Sequence, residues 1–146
     1  MVPATQMMRF TQQFNRFYAR QFASLIEETG LSMREFYVLL FLINNPGYDT
    51  ARDVSEYRGL AKSQVSQAVE LLSDRGLLCR SSDPTDRRVI HLSLTEAGQA
   101  MANRAQEIQN RCFTRLMAGF TPEEAAQFHA YLERVLKNGS ALNAQG

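Results

Sequence analysis

Apolar side chains recur every three to four residues along most of the chain, and this spacing, together with helix-capping residues, predicts six helices. Their expected ranges are 1–30, 32–45, 50–59, 61–75, 95–120 and 121–138. In the second helix the run from Phe36 to Ile43 is apolar on almost every side, which indicates a buried central helix. Residues after 138 are expected to be frayed.

Side chains able to cap a helix stand at the start of several of these segments. In a capping box, each of two side chains three residues apart accepts a hydrogen bond from the other residue's backbone N–H. The pairs with this spacing are Ser32–Glu35, Thr50–Asp53 and Thr121–Glu124. Ala61 has no side-chain acceptor, so the helix over 61–75 is expected to lack this stabilising contact.

Between the fourth and fifth helices the pattern changes to that of a β-hairpin. Gly76 is expected to end the preceding helix, because glycine adopts the left-handed conformation at little cost. Residues 77–82 and 89–94 are short runs of apolar and β-branched side chains typical of strands. Asp-Pro-Thr-Asp at 83–86 favours a type I turn, with two arginines after it at the tip. Helix, hairpin and helix in this order form the plan of a winged helix-turn-helix.

The residues of this hairpin and of the helix before it resemble a known family. D-x-x-D-R-R followed by L-T-x-x-G resembles the wing signature of the MarR family of bacterial transcription regulators. The matching residues are Asp83, Asp86, Arg87, Arg88, Leu94, Thr95 and Gly98. Upstream, S-x-V-S-x-x-V-x-x-L-x-x-R-G-L over residues 63–77 is similar to the family's recognition helix and the turn after it.

The resemblance implies a mostly α fold with a small β-wing. A winged helix-turn-helix lobe would span 32–94, and helices at 1–30 and 95–138 would form a two-fold dimer, all within a single domain over 1–146. The flanking helices carry more apolar surface than the lobe alone can cover, which also favours packing against a second copy. Such a dimer would present two recognition helices to successive major grooves about 34 Å apart on a palindromic site. Thr95 and Gly98 are expected to act structurally, as a helix cap and a close-packing point.

Polar side chains in the first half of the helix over 61–75 are the first candidate DNA contacts. Its inward face is expected to comprise Val65, Ala68, Val69 and Leu72. The candidate DNA-binding residues are Lys62, Ser63, Gln64, Ser66 and Gln67. Gln pairs well with adenine N6 and N7, Ser is less selective, and the lysine would meet phosphate. The alternative is a solvated polar face, and Glu70 and Asp74, which DNA would repel, are expected where the helix leaves the groove.

The wing arginines are the second group of candidate DNA contacts. Arg suits the narrow minor groove of A·T-rich DNA, where the negative potential is enhanced, and Arg88 is the first choice for insertion. The resemblance implies that Asp86 orients it through a charge-assisted hydrogen bond, while Arg87 contacts phosphate or shares the groove. Which of the two arginines inserts stays open. The alternative is a surface hairpin with an ordinary salt bridge. Arg58 and Arg80 are further phosphate candidates.

Composition and charge set limits rather than a function. The chain has 146 residues, 45% of them hydrophobic, which is enough for one domain with a real core. Its net charge is only +1, so DNA binding gains no support from global charge. Residues 75–92 hold four arginines against two aspartates, and four minus two leaves a local +2 that permits DNA binding.

Targeting signals and cysteine usage favour a reducing compartment. No segment approaches the roughly 18 apolar residues of a membrane span, and the N-terminal residues lack the apolar core of a secretory leader. Two cysteines imply no disulfide framework. We therefore expect a protein of the bacterial cytoplasm without a membrane partner.

The resemblance also implies a small aromatic or anionic effector, bound in a crevice between the dimer helices and the winged lobe. The candidate lining residues are Phe10, Phe14, Phe17, Tyr37 and Met101. The alternative is core and dimer packing, since aromatics at helical spacing are mostly buried for that reason. Arg16 or Arg20 could hold the carboxylate of such an effector.

Other chemistry finds little support in the residues. Neither Cys79 nor Cys112 has a Lys or His in helical register that would activate the thiol, although an arginine adjoins Cys79. His91 and His129 stand alone, without the spacing of a metal site. We expect no enzyme, no cofactor and no metal. The leading hypothesis is a dimeric, sequence-specific DNA-binding transcription regulator, a repressor relieved by a ligand. The alternative is a winged-helix protein-interaction module without specific DNA binding.

Overall fold

The computed structural model describes residues 1–144, which contain seven helices and two strands. In chain order they are α1 (Ala4–Gln21), α2 (Ala23–Thr29), α3 (Met33–Asn44), α4 (Ala51–Arg58), α5 (Lys62–Asp74), β1 (Leu78–Ser82), β2 (Ile90–Leu94), α6 (Glu96–Leu116) and α7 (Pro122–Ala144). The chain forms two compact units, Met1–Asn110 and a second that begins at Arg111. The fold is mostly α with one antiparallel β-hairpin, as the sequence predicts.

The core of the first unit is built around α3, which packs on α4, α5 and β2. Phe36, Val38 and Leu39 on α3 are completely buried, which confirms the prediction of a buried central helix. The predicted inward face of α5 is also confirmed, since Val65, Ala68, Val69 and Leu72 are all buried. The opposite face of α5 is therefore turned to the surface of the unit.

The predicted caps form at α3 and α4. Ser32 donates its backbone N–H to Glu35 Oε2 at 2.7 Å, and the Ser32 hydroxyl bonds the same oxygen. Thr50 and Asp53 bond each other's backbone N–H, both at 3.1 Å. Ala61 offers α5 no side-chain cap, as expected.

The predicted helix over 1–30 is wrong in one respect, because it is broken at Phe22. There the backbone N–H bonds the carbonyl of Ala19, three residues back, so the last turn of α1 is tightened before α2 begins. The Phe22 ring is fully buried, 5.0 Å from the ring of Tyr18 and 5.7 Å from that of Phe36. This ring packs against α3 at the break, and the apolar periodicity continues through it.

The hairpin matches the predicted strands within one residue. Leu78 pairs with Leu94, Arg80 with Leu92 and Ser82 with Ile90 in antiparallel register. The loop before α4 also pairs with β2, because the Leu92 N–H bonds the carbonyl of Asp49 at 2.7 Å. The hairpin is thus tied to the helix-turn-helix as well as to itself.

Thr95 and Gly98 join the hairpin to α6, which confirms their predicted structural roles. The Thr95 hydroxyl donates to the carbonyl of Gly76 at 2.6 Å and accepts from the N–H of Gly98 at 3.0 Å. A Cβ at Gly98 would lie 1.8 Å from the carbonyl oxygen of Leu77. A side chain there cannot fit unless the backbone moves.

The second unit contains α7, which begins with the predicted capping box between Thr121 and Glu124. The prediction that it ends near 138 is wrong, since α7 continues to Ala144, and residues 145–146 of the expected tail lie outside the described residues. Gly139 lies inside the helix without positive φ. Glycine in a helix costs about 1 kcal/mol relative to alanine and does not forbid it.

The apolar side chains of the last two helices differ in their burial. On α6, Ala105 and Cys112 are buried but Leu116 is 41% exposed. On α7 several large apolar residues are exposed, namely Phe128, Leu132, Val135 and Leu136. The second unit therefore has an exposed apolar surface on α7.

Candidate nucleic-acid interface

The exposed face of α5 carries every candidate contact expected on this helix. All five are exposed in the first half of α5: Lys62, Ser63, Gln64, Ser66 and Gln67. This is the end of a recognition helix that enters a major groove. The structure therefore brings these side chains together on one accessible surface.

Both glutamines among these candidates already have hydrogen-bond partners within the protein. Gln64 Oε1 accepts the backbone N–H of Ala61 at 3.0 Å, so it makes half of the capping box that Ala61 cannot complete. Gln67 Oε1 accepts a hydrogen bond from Arg34 Nη1 on α3 at 2.7 Å. Both amides retain their NH₂ groups as donors.

The hairpin turn is organised by the carboxylate of Asp83. Its Oδ2 accepts hydrogen bonds from the N–H of Thr85 at 2.9 Å, the Thr85 hydroxyl at 2.6 Å and the N–H of Asp86 at 3.1 Å. These donors and His91 hold the pKa of Asp83 far below its usual range. The predicted position of the backbone turn is wrong: the hydrogen-bonded turn lies three residues later, since Val89 N–H bonds the carbonyl of Asp86 at 3.0 Å.

At the tip, Asp86 holds Arg88 with two charge-assisted hydrogen bonds. Arg88 Nε lies 3.0 Å from Asp86 Oδ1, and Nη2 lies 3.1 Å from Oδ2. The same carboxylate accepts the backbone N–H of Arg88 at 3.0 Å. The pair lowers the pKa of Asp86, while the Arg88 side chain stays 90% exposed. Asp86 thus restrains the orientation of the Arg88 guanidinium, which stays accessible to a ligand.

His91 is a further residue of the hairpin that sequence reasoning missed. Its Nδ1 lies 3.0 Å from Asp49 Oδ1 and its Nε2 lies 2.8 Å from Asp83 Oδ1. Hydrogen bonds to Asp83 and then to Asp49 raise the pKa of His91. When it is protonated, the ring donates from both nitrogens and links the turn to the loop before α4. The separation of 42 residues from Asp49 left no local signal.

Between α5 and the hairpin runs a groove of about 360 Å³ that collects basic side chains. Its basic lining residues are Arg52, Lys62, Arg80 and Arg88, with Ser66 beside them. Arg52 on α4 was not singled out from the sequence, and its Nε is bound to Glu56 at 2.8 Å. The groove concentrates positive charge in a chain whose net charge is only +1. A polyanion that follows α5 and the hairpin would meet these side chains.

A model of the MarR family matches residues 29–89, from the end of α2 through the turn of the hairpin. This match covers 61 of the 146 residues and agrees with the winged helix-turn-helix described above, so the chain is similar to the MarR family over its winged lobe.

Proteins similar to this chain include named repressors. The transcriptional repressor IacR of Pseudomonas putida is 25% identical over 125 residues, which cover 86% of this chain and 74% of that protein. The homoprotocatechuate degradative operon repressor of Escherichia coli is 24% identical, and the match covers 82% of this chain and 80% of that protein.

Solved structures share the fold at low sequence identity. A MarR transcriptional regulator from Methanosarcina mazei has a TM-score of 0.79 at 20% identity and covers 97% of this chain and 94% of that one. S. aureus MepR in complex with DNA has a TM-score of 0.68 at 18% identity, and the match covers 94% of this chain and 99% of MepR. Bordetella bronchiseptica BpsR, whose DNA binding is regulated by 6-hydroxynicotinic acid, has a TM-score of 0.66 at 23% identity, with coverage of 90% and 98%.

The structure brings the candidate effector-binding residues only partly together. The rings of Phe10 and Phe14 stack at 6.1 Å, and Phe14 and Phe17 lie 6.2 Å apart on α1. The ring of Tyr37 is covered instead by the guanidinium of Arg58, 3.8 Å from the ring centroid. Met101 is half-buried on α6.

The cysteines and histidines give the structure no marked redox or metal centre. Cys112 is buried, and burial raises the pKa of its thiol, whereas Cys79 is exposed. Within residues 1–144, no group of three or more His, Cys, Asp or Glu side chains is placed to hold a metal ion. None of the helices described there is long and apolar enough to cross a membrane.

Proposed function

We propose that this protein is a transcriptional regulator that binds a palindromic operator in double-stranded DNA as a homodimer. The observation that carries the proposal is the pairing of Arg88 with Asp86 at the tip of a hydrogen-bonded hairpin. An arginine held in this way enters a minor groove with little side-chain entropy left to lose. Arg87 is exposed at the same tip, and no hydrogen bond or ion pair restrains it among the described residues. It is assigned to phosphate.

In this proposal α5 occupies the major groove. Ser63, Gln64, Ser66 and Gln67 are the base or phosphate contacts, and their exposure on the first two turns of α5 supports the assignment. Lys62, Arg80 and Arg52 in the basic groove contact the backbone that runs between helix and hairpin. Glu70 and Asp74 lie on later turns, where the helix leaves the groove.

A second copy of the chain is the proposed cover for the apolar face of α7. Val135 and Leu136 are 64% and 61% exposed, and Phe128 is 47% exposed. On α1, Met8 and Phe10 are likewise 64% and 46% exposed. Large apolar surfaces of this kind mark interfaces. A dimer supplies the two recognition helices that a palindrome requires.

Repression relieved by a small aromatic or anionic effector is the proposed mode of regulation. The names of the relatives support repression. Regulation of BpsR by 6-hydroxynicotinic acid, an aromatic acid, supports the class of effector. Phe10, Phe14 and Phe17 on α1 are the proposed aromatic lining, with Arg16 or Arg20 as the partner of a carboxylate, in a protein that acts in the bacterial cytoplasm.

The experiment that tests the proposal is fluorescence anisotropy with the duplex upstream of the protein's own gene, beside a scrambled duplex of equal composition. We expect nanomolar affinity for the first duplex, weaker binding to the second and a steep loss of affinity with salt. Genome-wide selection of bound fragments extends the test to distant operators. If no fragment is preferred in either assay, the proposal fails and the alternative of a protein-interaction module is favoured.

A further inference from the structure

We propose that Arg34 is a specificity-determining positioning residue: it holds the acceptor oxygen of Gln67 at its own guanidinium, so that Gln67 presents its NH₂ donors to the major groove. The inference rests on the proposed function, because it requires α5 to lie in the major groove. It goes beyond that function because it assigns a base preference to Gln67 and explains that preference by the contact of Gln67 with Arg34.

The orientation of the Gln67 amide follows from chemistry. The group that approaches it is Arg34 Nη1, at 2.7 Å. A guanidinium has only donors, so the amide must turn its oxygen towards Arg34. Its NH₂ group then points away from Arg34, with both N–H donors uncommitted to this contact.

Arg34 is itself anchored on its other edge. Its Nε and Nη2 lie 2.9 and 2.8 Å from Oε1 of Glu35. The Glu35 side chain is only 2% exposed, and its other oxygen caps α3 through Ser32. Burial alone would raise the pKa of Glu35, but the bonds from Ser32 and Arg34 outweigh burial and lower it. A buried carboxylate needs its counter-ion, so Arg34 is held where it can bond Gln67.

The consequence is a change in the base that Gln67 recognises. A free glutamine pairs with adenine through two bonds: its oxygen accepts from N6 and its nitrogen donates to N7. A carbonyl oxygen can accept a second hydrogen bond, but here the oxygen is directed at Arg34, so the amino group of adenine meets the NH₂ donors of the amide. Guanine presents two adjacent acceptors, O6 and N7, to the same position. Gln67 is therefore expected to favour guanine over adenine, contrary to the pairing expected from the residue type alone.

The test begins with selection of binding sites from random duplexes by the wild type and by Gln67→Ala. The base pair at which Gln67→Ala loses preference identifies the contact. Affinities are then measured for guanine, adenine and hypoxanthine at that position. We expect the wild type to bind guanine about tenfold more tightly than adenine, within the range of a base contact. Hypoxanthine, which keeps O6 and N7 but lacks the minor-groove amino group, should bind like guanine.

Removal of the arginine is the decisive step. In Arg34→Met the guanine-to-adenine ratio should fall to one or below, because the amide is free to pair with adenine. Arg34→Met combined with Glu35→Gln removes the charge that would otherwise be buried without a partner, and it should show the same change. Arg9→Met on α1 is the matched control and should keep the wild-type ratio. Thermal melting verifies that each variant is folded.

The possible failures are distinct. Adenine preferred by the wild type, hypoxanthine bound like adenine, or an unchanged ratio in both Arg34 variants overturns the inference while the regulator stands. A selected site that Gln67→Ala leaves unchanged at every position also overturns it. If the wild type selects no sequence at all, the proposed function itself has failed.

Discussion

The hairpin and the recognition helix hold their candidate DNA contacts in opposite ways. Arg88 at the hairpin tip is fixed by Asp86, two residues away, and the turn around it is fixed by Asp83. Gln67 on α5 is fixed by Arg34, 33 residues earlier and on another helix. The geometry of the tip is therefore encoded locally. The geometry of the helix surface depends on the packing of the whole lobe, so the two can be perturbed separately.

The largest expected effect comes from breaking the joint between the hairpin and α6. Gly98→Ala should lower the free energy of unfolding by about 3 kcal/mol or more, because the new Cβ would overlap the Leu77 carbonyl and force the backbone apart. Urea denaturation measures the change. Gly139→Ala is the control: it lies in α7 with nothing within 4 Å, so it should raise stability by up to about 1 kcal/mol. Equal stability of Gly98→Ala and wild type would contradict this account of the joint.

The next largest effect should be on DNA binding, with little change in the stability of the fold. Arg88→Ala should weaken operator binding about 100-fold, in the range for loss of a groove contact, and leave the melting temperature nearly unchanged. Asp86→Ala keeps the positive charge but frees the guanidinium, so its loss should be smaller, about tenfold. Anisotropy titrations with Arg9→Ala as the control give both values. A marked fall in the melting temperature of Arg88→Ala would make this arginine structural.

A smaller effect should follow from completing the start of the recognition helix. Ala61 has the extended backbone of an N-cap, with φ −63° and ψ 148°, but no acceptor. Ala61→Ser should stabilise the protein by about 1 kcal/mol, because the hydroxyl can accept the N–H of Gln64. Thermal or urea unfolding measures it, and Ala61→Val, which also lacks an acceptor, is the control. No gain over wild type would mean that Gln64 already satisfies the end of the helix.

The smallest expected effect is a pH dependence that originates in the hairpin. The pKa of folded His91 lies above its ordinary value of 6.5, since Asp83 and Asp49 favour the charged ring. The stability that this ring contributes is thus complete below about pH 6.5 and is lost as the pH rises through the raised pKa. Melting temperatures measured from pH 6 upward should fall more steeply for the wild type than for His91→Gln. Parallel curves would show that the two aspartates do not stabilise the charged ring.

What the sequence could predict follows the same division between local and distant contacts. The capping boxes at Ser32 and Thr50, the turn at Asp83 and the pairing of Asp86 with Arg88 each span three residues or fewer. The capping boxes and the turn-forming Asp83 can be recognised from residue types and spacing, because the partners are neighbours in the chain. The pairing of Asp86 with Arg88 was implied by the resemblance of the hairpin to the MarR wing. The two-stranded hairpin was predicted within one residue for the same reason.

The features that sequence reasoning missed depend on the tertiary fold. At the break between α1 and α2, the ring of Phe22 packs on Phe36 of α3. The apolar spacing continues unchanged through the break, so the sequence pattern does not reveal it. Neither the contact of His91 with Asp49 nor that of Gln67 with Arg34 leaves a trace in nearby residues. Arg52 lies on α4 and joins the basic groove only once α4, α5 and the hairpin have packed together. Spatial neighbours of this kind require the packed core.

The basic groove also bears on how such a protein would find its target among the bulk of the chromosome. Attraction to arbitrary DNA grows with the number of phosphates that a protein neutralises. Here the positive charge is gathered beside α5 and the hairpin, while the chain as a whole carries only +1. A molecule built in this way is held weakly when it lands in any other orientation. It therefore spends less time bound to DNA in such orientations than a uniformly basic protein would.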